Sequence, residues 1–475
     1  MADPIKFGTD GWRGVIARDF TFQNCRRVAQ AIADYVKEEQ IKHKGSKGPF
    51  SGPMVIGYDK RFQSDAFARE IAKVLEANQM HPILMAEALP TPAVSYMTKK
   101  LGGVGVMVTA SHNPPAYNGV KIKIDGRSAL DPMTKGIESW MDRTTPTRAA
   151  EIKVKSYRDV YVQYLKARAD LSKIKSKIKK PIVIDYMHGS GTGLMTEVLK
   201  AKNLVEIRAK HDPLFGGVRP EPIEQYLAAL SDAVKRNKAT VGLALDGDAD
   251  RFGLVDENGK YLTPCQVFPM IALYLIEKKK YKKKIVQSVS LGYLAERIAK
   301  EKNIPFEQLP VGFKHVAERI AAGEADIAGE ESGGYAWANK GGIAERDGML
   351  AALLFLEMMA VMGKTPSQLW REVETRFGAS HYKRIDYRIH KAVVDKALWT
   401  QKLIKKLPKK ILGTTIKELI SIDGLKIVLE DDHWLLMRPS GTEPLMRVYA
   451  ESDKPERTQG LLDMAKKWVA PNLNA

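Results

Sequence analysis

The sequence predicts an α/β protein of repeated βαβ units, closed by a C-terminal α+β domain. Three observations predict it. Short β-branched runs alternate with helical patterns through the first three quarters of the chain. Three apolar runs, 104–108, 241–245 and 435–437, and the segment Asp326-Ile327-Ala328-Gly329 each lead into a loop rich in polar residues and glycine or proline. The alternation changes character near 366–371.

The elements follow in order. Residues 54–57 read as a strand, 65–78 as an amphipathic helix and 83–86 as a strand, which is one βαβ unit. Residues 104–108, Val-Gly-Val-Met-Val, form a buried strand, and a further strand follows its loop and carries Lys121. A second cycle holds the strand 181–185 with its Gly189-Ser190-Gly191 loop, the helices 194–200 and 226–236, and the strand 241–245. A third holds the strand 284–288, the helix 293–302, the strand 325–329 and a long apolar helix 347–362. Beyond it come strands 382–389, 424–429, 434–438 and 446–450 and a last helix, an α+β pattern.

A length of 475 residues makes about three domains the first expectation and four the second. With 44% hydrophobic and 28% charged residues the chain is an ordinary globular sequence that can bury a large core. Residues 1–14 carry Asp3, Lys6, Asp10 and Arg13 and have no apolar core of a secretory signal. The apolar stretch 349–362 is shorter than a bilayer span and contains Glu357, so it reads as a buried helix, and no membrane segment is expected. Cys25 and Cys265 stand far apart without zinc-ligand spacing. A reducing cytoplasm fits.

The formal charge of +19 sits largely in lysine runs at 173–180, 278–284 and 405–410. Such runs read as solvated faces, because no zinc finger, RNP-like aromatic pattern or basic zipper accompanies them. No nucleic-acid partner is expected; the excess charge suits phosphate substrates.

The loops carry the chemistry. Thr109 to Pro115 places Ser111 and His112 directly after a buried strand; a serine there is a phosphoryl acceptor or a plain turn residue, and His112 an acid/base group or a loop hydrogen-bonder. Asp246, Asp248 and Asp250 alternate in a tight turn and direct hard oxygen ligands inward, which selects Mg²⁺ or Ca²⁺. The EF-hand spacing is imitated, with Glu257 at its last position. Arg251 stands where that loop needs glycine, however, the flanks 241–245 and 252–255 look like strands rather than helices, and 256–259 reads as a hairpin turn joining strands. Serine and carboxylates together point to metal-assisted phosphoryl transfer. Arg251, Lys121 and Arg13 are the cations that can offset a phosphate; the plainer role of Arg251 is a salt bridge that shapes the loop. Ser440-Gly441-Thr442 suits a phosphate nest, with Arg438 as a bidentate partner. Glu330 and Ser332 suit vicinal sugar hydroxyls, or else form a helix-capping turn before Tyr335.

Taken together, these motifs resemble the α-D-phosphohexomutase family of phosphoglucomutases, phosphomannomutases and phosphoglucosamine mutases. The resemblance spans nearly the whole chain. It is carried by Phe7-Gly8-Thr9-Asp10-Gly11-Trp12-Arg13-Gly14, the serine loop, Asp246 to Arg251, Glu330 to Gly334 and Arg438 to Pro444, with support from 57–61, 90–92 and 311–314. It implies four domains: three related α/β domains with mixed sheets at 1–145, 146–256 and 257–370, and an α+β domain at 371–475. These would carry the phosphoserine, metal, sugar and phosphate loops in turn.

The resemblance also implies Ser111 as the phosphorylated residue and Mg²⁺ on Asp246, Asp248, Asp250 and a phosphate oxygen at Ser111. His112, Lys121 and Arg13 would assist around the serine, with Arg251 and Lys314 toward the substrate. Glu330 and Ser332 would hold the sugar, and Arg438, Ser440, Gly441 and Thr442 the phosphate not being transferred. Hexose 1-phosphate would become the 6-phosphate through a hexose 1,6-bisphosphate, which also serves as activator. The Glu-Glu-Ser-Gly-Gly sugar loop differs from other subfamilies and leaves the sugar open, with glucose first, mannose second and glucosamine behind. Oligomeric state is open as well. Two other classes compete: a Mg²⁺-dependent phosphatase with an aspartyl nucleophile, which gives Ser111 no role, and a basic nucleic-acid-binding protein, which explains the charge and none of the loops.

Overall fold

The structure, a computed structural model, describes residues 5–469 apart from 9, 44–47, 391, 394 and 441–443. The chain forms two compact units. The first comprises Met1–Leu262, Gly312–Glu324 and Ser332–Ser367, the second Thr263–Val311, Ala325–Glu331 and Gln368–Ala475.

Two sheets organise the first unit. One has the strand order Trp12–Val15, Tyr117–Ile124, Val104–Val108, Val55–Tyr58, Ile83–Met85, Lys153–Lys155, with Arg127–Ser128 beside Tyr117–Ile124. It is mixed: Val55–Tyr58 runs parallel to both neighbours, whereas Tyr117–Ile124 is antiparallel to Val104–Val108 and to Trp12–Val15. All five residues of Val104–Val108 are buried, as expected of an inner strand. The helices Phe22–Lys42 and Ser64–Ala77 supply Val28, Ile32, Ile71 and Leu75 to the core under this sheet. Thr21 starts the first helix by accepting a bond from Asn24 N at 3.1 Å.

The second sheet orders Tyr261–Leu262, Phe252–Val255, Val241–Leu245, Ile182–Asp185 and Leu204–Ile207, parallel on one side of Val241–Leu245 and antiparallel on the other. Helix Gly348–Met362 is apolar all round apart from the buried Glu357 and is buried on nearly every residue, which is the pattern of a core helix. Among the described residues no single helix is long and apolar enough to cross a membrane.

In the second unit, Ile285–Ser288 pairs in parallel with Phe306–Leu309 and with Ile327–Glu330. The C-terminal domain is a six-stranded antiparallel sheet, His381–Arg388, Leu445–Ser452, Trp434–Pro439, Leu425–Leu429, Thr414–Ile420 and Lys410–Ile411 in order, covered by helix Pro455–Val469.

The expected fold class is found: mixed α/β sheets followed by a C-terminal α+β domain. Two local readings change. The helix expected over 226–236 is a 3-10 turn at Glu224–Tyr226 followed by Ala228–Arg236, and Tyr335 lies in the strand Gly334–Trp337, so nothing caps a helix there. The flanks of the aspartate turn are strands, and Asp256 accepts bonds from Asn258 N and Lys260 N in a hairpin turn, which removes the EF-hand. The lysine runs lie on the surface, with Lys284 half-buried.

Candidate active site

The serine loop is built by a clamp. Arg61, whose side chain is fully buried, donates to the carbonyls of Ser111 and Asn113 at 2.6 Å each, of Pro114 at 2.8 Å and of Tyr117 at 3.0 Å. Asp59 holds this corner by accepting from Arg61 N at 3.0 Å, Ser64 Oγ at 2.7 Å and Thr109 Oγ1 at 2.6 Å; Thr109 Oγ1 in turn accepts from Ser111 N at 2.8 Å. Ser111 has φ 53°, a left-handed conformation costly for a residue with a side chain. The dense bonding keeps it there.

The acidic turn meets that serine. Ser111 Oγ donates to Asp246 Oδ2 at 2.8 Å, and Asp246 Oδ1 accepts from Arg251 N at 3.0 Å. Ser190 N donates to Gly247 O at 3.0 Å, so the Gly189-Ser190-Gly191 loop supports the turn from behind. Thr91 donates through Oγ1 to Asp248 Oδ2 at 2.6 Å. Asp246, Asp248 and Asp250 are fully buried, and each offers a carboxylate oxygen within 4.8 Å of the others.

Cations surround the acids. Lys121 Nζ lies 2.8 Å from Asp248 Oδ2, 3.0 Å from Asp250 Oδ2 and 3.0 Å from Asp10 Oδ2. Burial acts against its charge, but those three carboxylates raise its pKa and keep it an ammonium. Burial likewise works against Asp10, yet Lys121 and Arg346 hold it well below the usual carboxylate range. Asp248 is lowered in the same way by Lys121 against its burial. Asp246 moves the other way, raised by burial and by the charges of Asp248 and Asp250. Arg251 Nε stands 3.9 Å from both Asp246 and Asp250, and Nη1 lies 3.7 Å from Glu221. Arg13 donates to Asn113 Oδ1 at 2.9 Å. His112 Nδ1 stands 3.4 Å from Ser111 Oγ, and burial together with Arg251, Arg13, Lys121 and Arg346 keeps its ring neutral.

The acidic turn fits a divalent cation. Asp248 Oδ1 and Asp250 Oδ1 are buried and have no hydrogen-bond partner among the described residues, a costly state for carboxylate oxygens unless a cation faces them. The donor set is all oxygen, as Mg²⁺ requires.

Thus Ser111, His112, Lys121, Arg13, Asp246, Asp248, Asp250 and Arg251, drawn from sequence positions far apart, come together in the first unit. Lys314, also there, is paired with Asp131 at the start of helix Asp131–Ser139. Ser332 is half-buried in the same unit. Glu330, in the second unit, is the buried last residue of Ile327–Glu330, and Arg438 there bonds to Asp423 at 2.5 Å. Ser440 N donates to Leu445 O at 2.8 Å. Gly441 and Thr442 lie outside the described residues.

Sequence reading passed over Arg346 as a site residue and used Asp10 only as part of a motif. Arg346 Nη2 lies 2.6 Å from Asp10 Oδ2 and 3.0 Å from Asp250 Oδ2. Beside it, Lys123 Nζ donates to Glu345 Oε2 at 2.6 Å, both fully buried. The available signal was the charged triplet Glu345-Arg346-Asp347 set directly against an apolar helix.

Family models described as phosphoglucomutase/phosphomannomutase alpha/beta/alpha domains I, II and III and C-terminal domain match residues 4–148, 159–259, 263–377 and 390–467. A "Probable phosphoglucosamine mutase" of Methanobrevibacter smithii is 30% identical over 100% of both chains. A "Phosphoglucomutase/phosphomannomutase" of Thermococcus kodakarensis is 28% identical over 97% of both. A crystal structure described as a "putative phosphomannomutase" of Thermus thermophilus is 33% identical, covers 99% of this chain and 100% of its own, and superposes with a TM-score of 0.86. With a matching fold, four matching family models and full-length relatives, the chain belongs to the phosphoglucomutase/phosphomannomutase family of phosphohexomutases, which are intramolecular phosphotransferases.

Proposed function

We propose that the protein interconverts the 1- and 6-phosphates of a hexose through a phosphoserine at Ser111, with glucosamine phosphate ahead of glucose and mannose phosphates. The order of sugars differs from the glucose-first order expected at the sequence level, because the M. smithii relative is named for glucosamine and matches end to end. The T. kodakarensis relative supports glucose and mannose phosphates as second choices. The observation that carries the reaction is the 2.8 Å bond between Ser111 Oγ and Asp246 inside a buried acidic turn.

Asp246, Asp248 and Asp250 would hold Mg²⁺, which when bound withdraws charge from a transferring phosphoryl group. A phosphoserine adds about two negative charges, which a bound divalent ion would offset. Lys121 stays protonated beside the acids and would offer its charge to the phosphoryl oxygens, with Arg13 and Arg251 as further cations. His112, neutral and 3.4 Å from Ser111 Oγ, accepts the serine proton when the hydroxyl is rephosphorylated and returns it later; such contacts tighten when substrate binds. Glu330 and Ser332 bond neighbouring sugar hydroxyls in either orientation of a hexose 1,6-bisphosphate, and Lys314 contacts sugar or phosphate. Arg438, Ser440, Gly441 and Thr442 hold the phosphate that is not in transfer.

The test is a panel of glucosamine, glucose and mannose 1-phosphates with Mg²⁺ and a trace of the 1,6-bisphosphate. Conversion fastest for glucosamine phosphate is expected; no conversion of any member would sink the proposal.

A further inference from the structure

Asp423 precedes Gly424 in the turn before strand Leu425–Leu429. Gly424 has φ 88°, and a Cβ there would stand 2.4 Å from Met437 O and 2.9 Å from Arg438 Cα. Only glycine lets this turn press against the end of strand Trp434–Pro439. The close approach delivers the carboxylate: Arg438 Nε donates to Asp423 Oδ2 at 2.5 Å, and the same oxygen accepts from Val311 N at 3.2 Å. Lys396 Nζ lies 3.6 Å from Oδ1. One carboxylate therefore ties three segments of the second unit together. The side chains of Arg438 and Asp423 are 10% and 11% exposed, so the pair is largely withdrawn from water.

We infer that Asp423 is the positioning residue of Arg438, holding its guanidinium by Nε so that the η-amino groups are presented to a phosphate. The inference rests on the reading of Arg438 as a phosphate-binding residue. An arginine fork is worth most to a phosphate when its plane is fixed before the ligand arrives. Without Asp423 the long side chain is ordered anew at each binding event, and Arg438 loses the anion that supports its charge in a buried place. Both effects weaken ground state and transition state alike, so they appear in KM rather than kcat.

The experiment uses the full chain with Mg²⁺ and glucose 1,6-bisphosphate, on glucosamine 1-phosphate and glucose 1-phosphate. Asp423→Ala is expected to raise KM roughly tenfold with kcat within about twofold, and to add nothing further in an Arg438→Ala background. An Asp423→Ala enzyme with unchanged KM, beside an Arg438→Ala enzyme with raised KM, overturns the inference. So does an equal rise in KM with and without Arg438, which marks a purely structural effect. If Arg438→Ala itself leaves KM unchanged, the phosphate role of Arg438 falls first and the inference with it. Should Asp423→Ala not fold, Asp423→Asn, which keeps shape and acceptor but not charge, is expected to raise KM by about threefold; an unchanged value overturns the inference.

Discussion

Gly247 lies against Ser111: a β-carbon on Gly247 would stand 2.6 Å from the carbonyl oxygen of Ser111. The acidic turn and the serine loop therefore touch backbone to backbone, and their spacing depends on a missing methyl group. Gly247→Ala should push the loops apart by a fraction of an ångström. The expected result is a kcat lowered about tenfold, less than the roughly 10²-fold that a full 1 Å misplacement can cost, with the fold intact by circular dichroism. Wild-type turnover in this variant would show that the spacing is not critical.

Ser111→Ala should abolish mutase turnover, while Mg²⁺ binding, measured by calorimetry, persists through Asp246, Asp248 and Asp250. EDTA should stop the wild-type enzyme. Metal binding should weaken as pH falls, because burial and the neighbouring acids raise the pKa of Asp246 and a protonated carboxyl is a poor ligand. An active Ser111→Ala enzyme would instead favour an aspartyl nucleophile.

Arg346 bridges Asp10 and Asp250 with its side chain almost fully buried. Arg346→Met leaves partly buried Asp10 and fully buried Asp250 chiefly to Lys121, and removing one partner of a buried pair costs up to about 3–5 kcal/mol. A clear fall in the urea midpoint is expected, with Arg346→Lys falling less. An unchanged midpoint for the methionine variant would mean that Lys121 alone suffices.

Asp347 caps helix Gly348–Met362 by accepting from Leu350 N at 2.9 Å and also accepts from Tyr161 Oη at 2.9 Å. Burial pushes its pKa up to about 7. The folded protein thus keeps a proton that the unfolded chain releases near pH ~3.9, so this group's contribution to stability falls as pH rises between those values and levels off above. Asp347→Asn should flatten that part of the pH–stability curve. An identical slope in denaturant titrations of both proteins would contradict it.

Strands were legible where an apolar run stops abruptly at a polar turn: Val104–Val108, Val241–Leu245 and Phe252–Val255 fall on the residues expected. Strand Trp12–Val15 was not, because Arg13 and Gly14 interrupt any apolar signal and its partner lies at 117–120. The acidic triad was legible from its spacing, and the structure sets it against Ser111. Arg346 was not: it meets Asp10 across 336 residues, and the charged triplet 345–347 before an apolar helix reads first as a helix start and does not name so distant a partner. Arg61 sat in a recognised motif, but its grip on four carbonyls is a matter of backbone direction, which side-chain identity does not reveal.

Helix Gly348–Met362 begins against the acidic turn: Gly348 N donates to Ala249 O at 3.1 Å, a Cβ on Gly348 would stand 2.3 Å from Arg251 O, and Phe355 packs on Phe252 with ring centroids 6.0 Å apart. This helix is inherited with the third family segment, 263–377, but packs as part of the first unit. Ancestry and mechanics thus partition the polypeptide differently. Excising everything after residue 262, tidy by pedigree, would leave the carboxylate turn roofless and Phe252 bare, so a shuffled or truncated version must carry that borrowed helix along.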